Sequence, residues 1–221
     1  MTMSQGLVSP MHDAMPQPGV HANQGAEIVS ALGSRLIVLV GMMGSGKSTV
    51  GRRLAARLRL PFVDADHEIE HRHGGMTISE IFAAHGEPYF RDGEARVIAA
   101  LLDGGPQVLA TGGGAFLRED TRQRIREKGI SIWLKAEGDV ILRRIKKRAD
   151  RPLLQTADPA ATIERLIAER TPVYELADIA IWSRDLPHEK IVDDIMDTLH
   201  AYLVDVPPAC AQANPSASET Q

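Results

Sequence analysis

Short, continuously apolar runs alternate along the chain with longer stretches in which apolar positions recur at helical spacing. Leu36–Val40 is wholly apolar and ends in Gly41, the pattern of a strand buried on both faces. Helical spacing follows over residues 46–58. Phe62–Asp64 then reads as a short strand and residues 66–72 as a helix. Thr77-Ile78-Ser79-Glu80 has the capping-box pattern that opens another helix, and residues 87–102 continue the helical region. Val108–Ala110 is strand-like and runs into Gly112-Gly113-Gly114. Residues 118–128 form a helix with Gly129 as its stop. Residues 130–134 read as a strand, 139–148 as a basic helix and 151–158 as a proline-containing loop. A helix over 159–176, a strand at Ile179–Trp182 and a closing helix over 187–203 complete the pattern. Strands alternating with helices predict an α/β fold: a five-stranded parallel sheet with helices on both faces.

The ends of the chain lack this periodicity. Residues 1–34 are rich in Gly, Pro, Gln, Ser and Met and are expected to be a disordered extension, with a short helix near 26–32. Residues 204–221 are expected to be a disordered tail. The folded domain is therefore placed at residues 35–203, and no internal repeat is visible.

Composition narrows the class. The 221 residues are 43% hydrophobic, enough for one domain with a core and rather little for two. The formal net charge of −4 supplies no general basic field, so no nucleic-acid partner is expected. Cys210, the single cysteine, cannot form an internal disulfide, which suits a reducing cytosol. No apolar run is long enough to span a bilayer. The first basic residue is Arg35, so the N-terminus lacks the positive flank of a secretory signal. A cytoplasmic protein with no membrane partner is expected.

Gly41-Met42-Met43-Gly44-Ser45-Gly46-Lys47-Ser48 matches the phosphate-loop pattern G-x-x-x-x-G-K-[ST], and it lies between a strand and a helix as that motif requires. Gly41, Gly44 and Gly46 allow backbone angles that turn successive N–H groups toward phosphate oxygens. The helix N-terminus adds its dipole. Lys47 reaches the β- and γ-phosphates, and Ser48 offers its hydroxyl to Mg²⁺. ATP and Mg²⁺ are thus the expected co-substrate and cofactor.

The type of phosphate-loop protein follows from what accompanies it. The later strands lead into Thr111, Lys135 and Ser183, none an aspartate that could hold Mg²⁺. Asparagine occurs only at 23 and 214, so the Asn-Lys-x-Asp segment of guanine recognition is absent. A small-molecule kinase fits better than a GTPase or a motor. Asp64-Ala65-Asp66 ends a strand at the edge where ligands bind in such sheets. One carboxylate could hold Mg²⁺ through water and the other could take a proton from a substrate hydroxyl. Alternatively, one or both could cap the next helix. The three glycines at 112–114 permit close ligand approach, or simply a tight turn. Arg91, Arg151 and Arg170 could converge on an anionic group, although any one arginine is more often a solvated charge. The Arg143-Arg144 and Lys146-Lys147-Arg148 run reads as a solvated face beside an anionic nucleotide, since 4% aromatic residues offer little base stacking. The histidines, among them His67, His71, His73 and His85, lack metal-ligand spacing.

Taken together, these residues resemble the shikimate kinase family. The matching segments are Gly-Met-Met-Gly-Ser-Gly-Lys-Ser-Thr (41–49), Phe-Val-Asp-Ala-Asp (62–66), Gly-Glu-Pro-Tyr-Phe-Arg (86–91), Leu-Ala-Thr-Gly-Gly-Gly-Ala (109–115), Arg-Pro-Leu-Leu (151–154) and Glu-Arg-Thr-Pro-Val-Tyr (169–174). The resemblance implies a nucleoside-monophosphate-kinase-like three-layer sandwich with a short lid at about 148–158; a monomer is expected. It implies transfer of the ATP γ-phosphoryl group to the 3-hydroxyl of shikimate. Asp66 would hold the shikimate hydroxyls and act as the base. Arg91 and Arg170 would clamp the carboxylate, with backbone contacts from Gly112, Gly113 and Gly114, and Glu94 would orient Arg91. ATP would be held by Gly44, Ser45, Gly46, Lys47, Ser48 and Thr49, with Arg144 along the adenine and Arg151 on the phosphates. Lys47 and Arg151 would join Asp66 in catalysis. Ser48, and Asp64 through water, would serve Mg²⁺. Arg184 is the candidate for a second adenine contact. A gluconate or nucleoside-monophosphate kinase is the competing reading, against which stand Arg91, the triple glycine and Arg170. A nucleotide-binding regulator without turnover is the other, against which stand Lys47, Asp66 and Arg151.

Overall fold

The computed structural model describes residues 20–146 and 158–205. Five strands form one sheet: β1 (Leu36–Val40), β2 (Phe62–Asp64), β3 (Val108–Ala110), β4 (Gly129–Lys135) and β5 (Ile179–Trp182). Their order is β2-β3-β1-β4-β5, and every neighbouring pair is parallel. β1 is central, with Ile37 opposite Val108 on one side and Ile130 on the other.

The two-residue alternation of a strand sorts the core into two faces. Ile37 and Leu39 point into a cluster with Ile28 and Leu32 of α1 (Val20–Leu32), Leu54 of α2 (Lys47–Leu58) and Ile195 of α8 (His188–His200). Leu36, Val38 and Val40 point the other way. They meet Ile98 of α4 (Ile78–Leu102), Ile125 of α5 (Glu119–Lys128), Ile141 of α6 (Gly138–Lys146) and Ile163 of α7 (Pro159–Tyr174). Because both faces of β1 are covered, its sequence is apolar throughout rather than alternating. The architecture is the expected three-layer α/β sandwich.

A third, smaller cluster of Ile69, Ile81, Phe90 and Val97 joins α3 (Ala65–Arg72) to α4. Thr77 and Glu80 make the reciprocal capping box, with Thr77 N donating to Glu80 Oε2 at 2.7 Å. The helix is interrupted at Gly86, whose φ of 80° breaks the helical path before Pro88.

Two expectations need correction. Residues 20–32 are not part of a disordered extension: α1 is a thirteen-residue helix whose Ile28 and Leu32 are fully buried in the core. Gly129 ends α5 as expected, with φ −152°, and opens β4 directly. A side chain there would sit 2.9 Å from the Leu36 carbonyl oxygen, so close strand packing is what requires glycine. The closing helix changes at Ala201 into a single π-helical turn, Ala201–Asp205. The expected lid lies outside the described residues, apart from Asp158, which caps α7 by accepting from Ala161 N at 3.0 Å. Among the described residues no helix is long and apolar enough to cross a membrane.

Candidate active site

β1 delivers the phosphate loop to the C-terminal edge of the sheet, and α2 begins at Lys47. Gly44 (φ 76°) and Gly46 (φ 98°) occupy the left-handed region that other residues resist. A buried Lys47 folds back across the loop and donates to the carbonyl oxygens of Gly41 at 2.7 Å and Met42 at 2.8 Å. Ser48 and Thr49 follow on the first turn of α2. Ser45 is wholly buried.

From the α6 side, Arg144 reaches the outside of the loop. Its Nη1 donates to Ser183 Oγ at 2.9 Å and to the Ser45 carbonyl at 3.3 Å, and its Nη2 to the Arg184 carbonyl at 2.8 Å. Burial lowers the guanidinium pKa, but arginine stays charged at any working pH. Arg144 therefore braces the loop. Arg184 contributes a backbone carbonyl here, while its side chain is exposed.

On the other flank, the three glycines organise the acidic and basic groups. A Cβ on Gly112 would lie 2.7 Å from Asp66 Oδ1 and 2.5 Å from Glu94 Oε1. The two carboxylate oxygens are therefore within roughly 5 Å of each other, close enough for like charges to interact. A Cβ on Gly113 would lie 3.0 Å from the Met43 backbone nitrogen of the phosphate loop, and one on Gly114 would strike the Arg91 guanidinium at 2.5 Å. None of these three glycines has a positive φ, so space rather than backbone freedom demands them. Arg170 Nη1 donates to the Gly113 carbonyl at 3.2 Å, and Tyr174 donates its hydroxyl to the same oxygen. Asp66, Arg91 and Arg170, scattered in sequence, thus converge on consecutive glycines beside the loop.

The electrostatics follow from burial and pairing. Glu94 is 3% exposed, and burial raises its pKa despite an ion pair with Arg91 at 2.8 Å; Asp66 pushes it further up. Its other oxygen, Oε1, has no hydrogen-bond partner among the described residues. Burial opposes the charge on Arg91, but Glu94 and Glu87 outweigh it and raise its pKa. The Arg91 guanidinium lies 5.1 Å from the Phe90 ring centre, which limits its swing. Buried Tyr174 has its phenol pushed up to about 12.

Asp64 takes the capping alternative: its Oδ1 accepts from Asp66 N at 3.1 Å at the start of α3. That bond fixes the turn that presents Asp66. The strand ends that lacked an aspartate have structural work. Thr111 bonds to the Leu39 carbonyl through both its backbone nitrogen and its hydroxyl, and the Lys135 ammonium lies between Trp133 and Trp182. Tyr174 was not singled out in the sequence, because one tyrosine in a helix carries no local sign of its acceptor sixty-one residues away. Arg151 lies outside the described residues.

Comparison with known proteins identifies the family. The family model described as shikimate kinase matches residues 43–200. Shikimate kinase of Rhodopseudomonas palustris is 71% identical over 185 residues, covering 84% of this chain and 91% of that protein. The Bradyrhizobium diazoefficiens shikimate kinase is 68% identical over 184 residues, covering 83% and 88%. Among solved structures, shikimate kinase from Acinetobacter baumannii in complex with shikimate superposes with a TM-score of 0.76 at 35% identity, covering 80% of this chain and 99% of that one. With the phosphate loop, the glycine-organised pocket and these relatives in agreement, the chain belongs to the shikimate kinase family.

Proposed function

We infer that this enzyme transfers the γ-phosphoryl group of ATP to the 3-hydroxyl of shikimate, giving shikimate 3-phosphate and ADP on the route to chorismate and the aromatic amino acids. The observation that carries the assignment of residues is the convergence of Asp66, Arg170 and Arg91 on Gly112, Gly113 and Gly114. Shikimate is an anionic polyol. Two guanidinium groups suit its carboxylate, and a carboxylate suits its hydroxyls.

In this reading Arg91 and Arg170 hold the substrate carboxylate and so fix which hydroxyl faces the loop. Glu94 keeps Arg91 aimed. Asp66 accepts a hydrogen bond from the 3-hydroxyl and takes its proton as the new O–P bond forms. The bond from the γ-phosphorus to the bridging oxygen breaks and ADP leaves. The loop N–H groups at Gly44, Ser45, Gly46, Ser48 and Thr49 hold the phosphates, and Lys47 balances their charge. Arg144 is assigned to the adenine side and Arg151 to the transferring phosphoryl group.

Mg²⁺ is the cofactor of this reading, and the residues fit it. Ser48 and Asp64 offer hard oxygen donors, and the Asp64 cap uses Oδ1, which leaves Oδ2 for a bridging water. Among the described residues no cluster of three or more His, Cys, Asp or Glu could hold a metal; in this reading the nucleotide supplies most of the ligands. When bound, the ion neutralises charge on the β- and γ-phosphate oxygens. The same reading places the enzyme in the cytoplasm, where ATP is made. It also takes the enzyme as a monomer, since one chain supplies every assigned group.

The test is an assay coupled to ADP release with ATP, Mg²⁺ and shikimate, run beside gluconate and AMP. Turnover with shikimate alone is expected. Turnover with gluconate or AMP and none with shikimate would overturn the assignment.

A further inference from the structure

The residue following β5, Ser183, is 1% exposed and connects three parts of the donor side. Its backbone nitrogen donates to the Lys135 carbonyl at 2.7 Å, which fastens it to the end of β4. Its hydroxyl donates to the Ser45 carbonyl oxygen at 2.7 Å and accepts from Arg144 Nη1 at 2.9 Å. A serine hydroxyl has one proton, and here that proton is committed to the phosphate loop.

The bond matters because of what lies on the other side of the same peptide. Ser45 C=O and Gly46 N–H belong to one trans peptide unit, so they point in opposite directions. Holding the carbonyl toward Ser183 therefore aims the Gly46 N–H away from it. Glycine at 46, with φ 98°, leaves this peptide plane unusually able to rotate, since no Cβ restrains it. Both groups adjoin this glycine: a Cβ on Gly46 would lie 3.6 Å from Ser183 Oγ and 3.7 Å from Arg144 Nη1, ordinary contact distances.

We propose that Ser183 is a positioning residue for the nucleotide: its hydroxyl pins the Ser45 carbonyl and so holds the Gly46 N–H in the direction that receives a phosphate oxygen. Arg144 keeps the hydroxyl turned to that carbonyl by supplying the bond it accepts. The proposal rests on the assignment of the loop to ATP.

The experiment compares wild type, Ser183→Ala and Ser183→Thr for binding of ATP, tripolyphosphate and shikimate by calorimetry. Ser183→Ala should weaken ATP roughly three- to ten-fold, the range for one lost hydrogen bond at a buried acceptor. Tripolyphosphate should weaken by the same factor, because it lacks the base and tests the loop alone. Shikimate affinity should stay within about two-fold, and Ser183→Thr should restore ATP binding, because its hydroxyl supplies the same bond. Unchanged ATP affinity in Ser183→Ala, equal losses for ATP and shikimate, or a loss for ATP not shared by tripolyphosphate would each overturn the proposal. Should Ser183→Ala not fold, Ser183→Thr and Ser183→Val, alike in shape, carry the comparison: weaker ATP binding by the valine variant supports the pin, and equal binding overturns it. Failure of the wild type to bind ATP would instead overturn the functional reading.

Discussion

Arg170 and Tyr174, one helical turn apart on α7, donate to a single acceptor, the carbonyl oxygen of Gly113. The tyrosine is buried and sets the position of that carbonyl, whereas the arginine is half-buried and keeps further donors for a ligand. Arg170→Lys should therefore raise KM for shikimate on the order of ten-fold with kcat changed little, because one ammonium cannot reproduce a planar two-bond clamp. Initial-rate kinetics over shikimate at saturating ATP measure this, and an unchanged KM would remove Arg170 from the clamp.

Asp66→Asn keeps the shape of the side chain and removes its capacity to take a proton. Turnover should fall roughly 10²- to 10⁴-fold while the ATP dissociation constant holds within about three-fold. Near-normal kcat in this variant would mean that Asp66 is not the base.

Gly114→Ala tests the glycine pocket without backbone strain, since Gly114 has φ −107°. The new methyl would displace the Arg91 guanidinium, the far end of a flexible side chain, so the protein should still fold, with a lower melting temperature because buried Glu94 loses its partner. KM for shikimate should rise about ten-fold and KM for ATP should not move. The combination separates acceptor-site damage from general disruption.

Leu32→Ala measures whether α1 belongs to the folded unit. Leu32 is 1% exposed, and removing a buried leucine side chain costs about 2–5 kcal/mol. Denaturant unfolding should show a lower midpoint with an unchanged slope. A change below about 0.5 kcal/mol would mean that α1 contributes little to the core.

His200 joins α1 to the end of α8. Its Nε2 pairs with Glu27 at 2.7 Å, and Asp205 lies 3.7 Å from Nδ1. The Glu27 hydrogen bond, with Asp205 adding to it, raises the His200 pKa above 6.5. The stabilisation is therefore complete below pH 6.5 and fades as pH rises through the higher folded value. Unfolding midpoints at pH 6 and pH 9 should differ more in the wild type than in His200→Gln. Equal differences would show that the pair does not stabilise the fold.

The phosphate loop, the capping box and the strand count were legible because each is written in neighbouring residues. The glycines at 112–114 were legible as a feature, but not in purpose: only the fold brings Asp66, Met43 and Arg91 against them. Tyr174 and Ser183 were visible as a segment end and a strand end but not in their roles, since both act on carbonyl oxygens more than sixty residues away. The helix α1 was half-seen. Its large buried apolar side chains among the described residues, Ile28 and Leu32, fall in its second half, and the Gly, Gln and Asn residues before them hide the period.

β1 stands at the middle of the sheet, with β3 and β2 on one side and β4 and β5 on the other. The acceptor groups Asp66 and Gly112–Gly114 follow β2 and β3, whereas Arg144 and Ser183 follow β4 and β5. Most groups assigned to the acceptor thus stand on the β2–β3 half of the sheet and those assigned to the donor on the β4–β5 half, with Arg170 of α7 reaching across to Gly113. In this assignment a lineage that exchanged one substrate alcohol for another would alter the β2–β3 half together with α7, while the phosphate loop and Arg144 stayed as inherited.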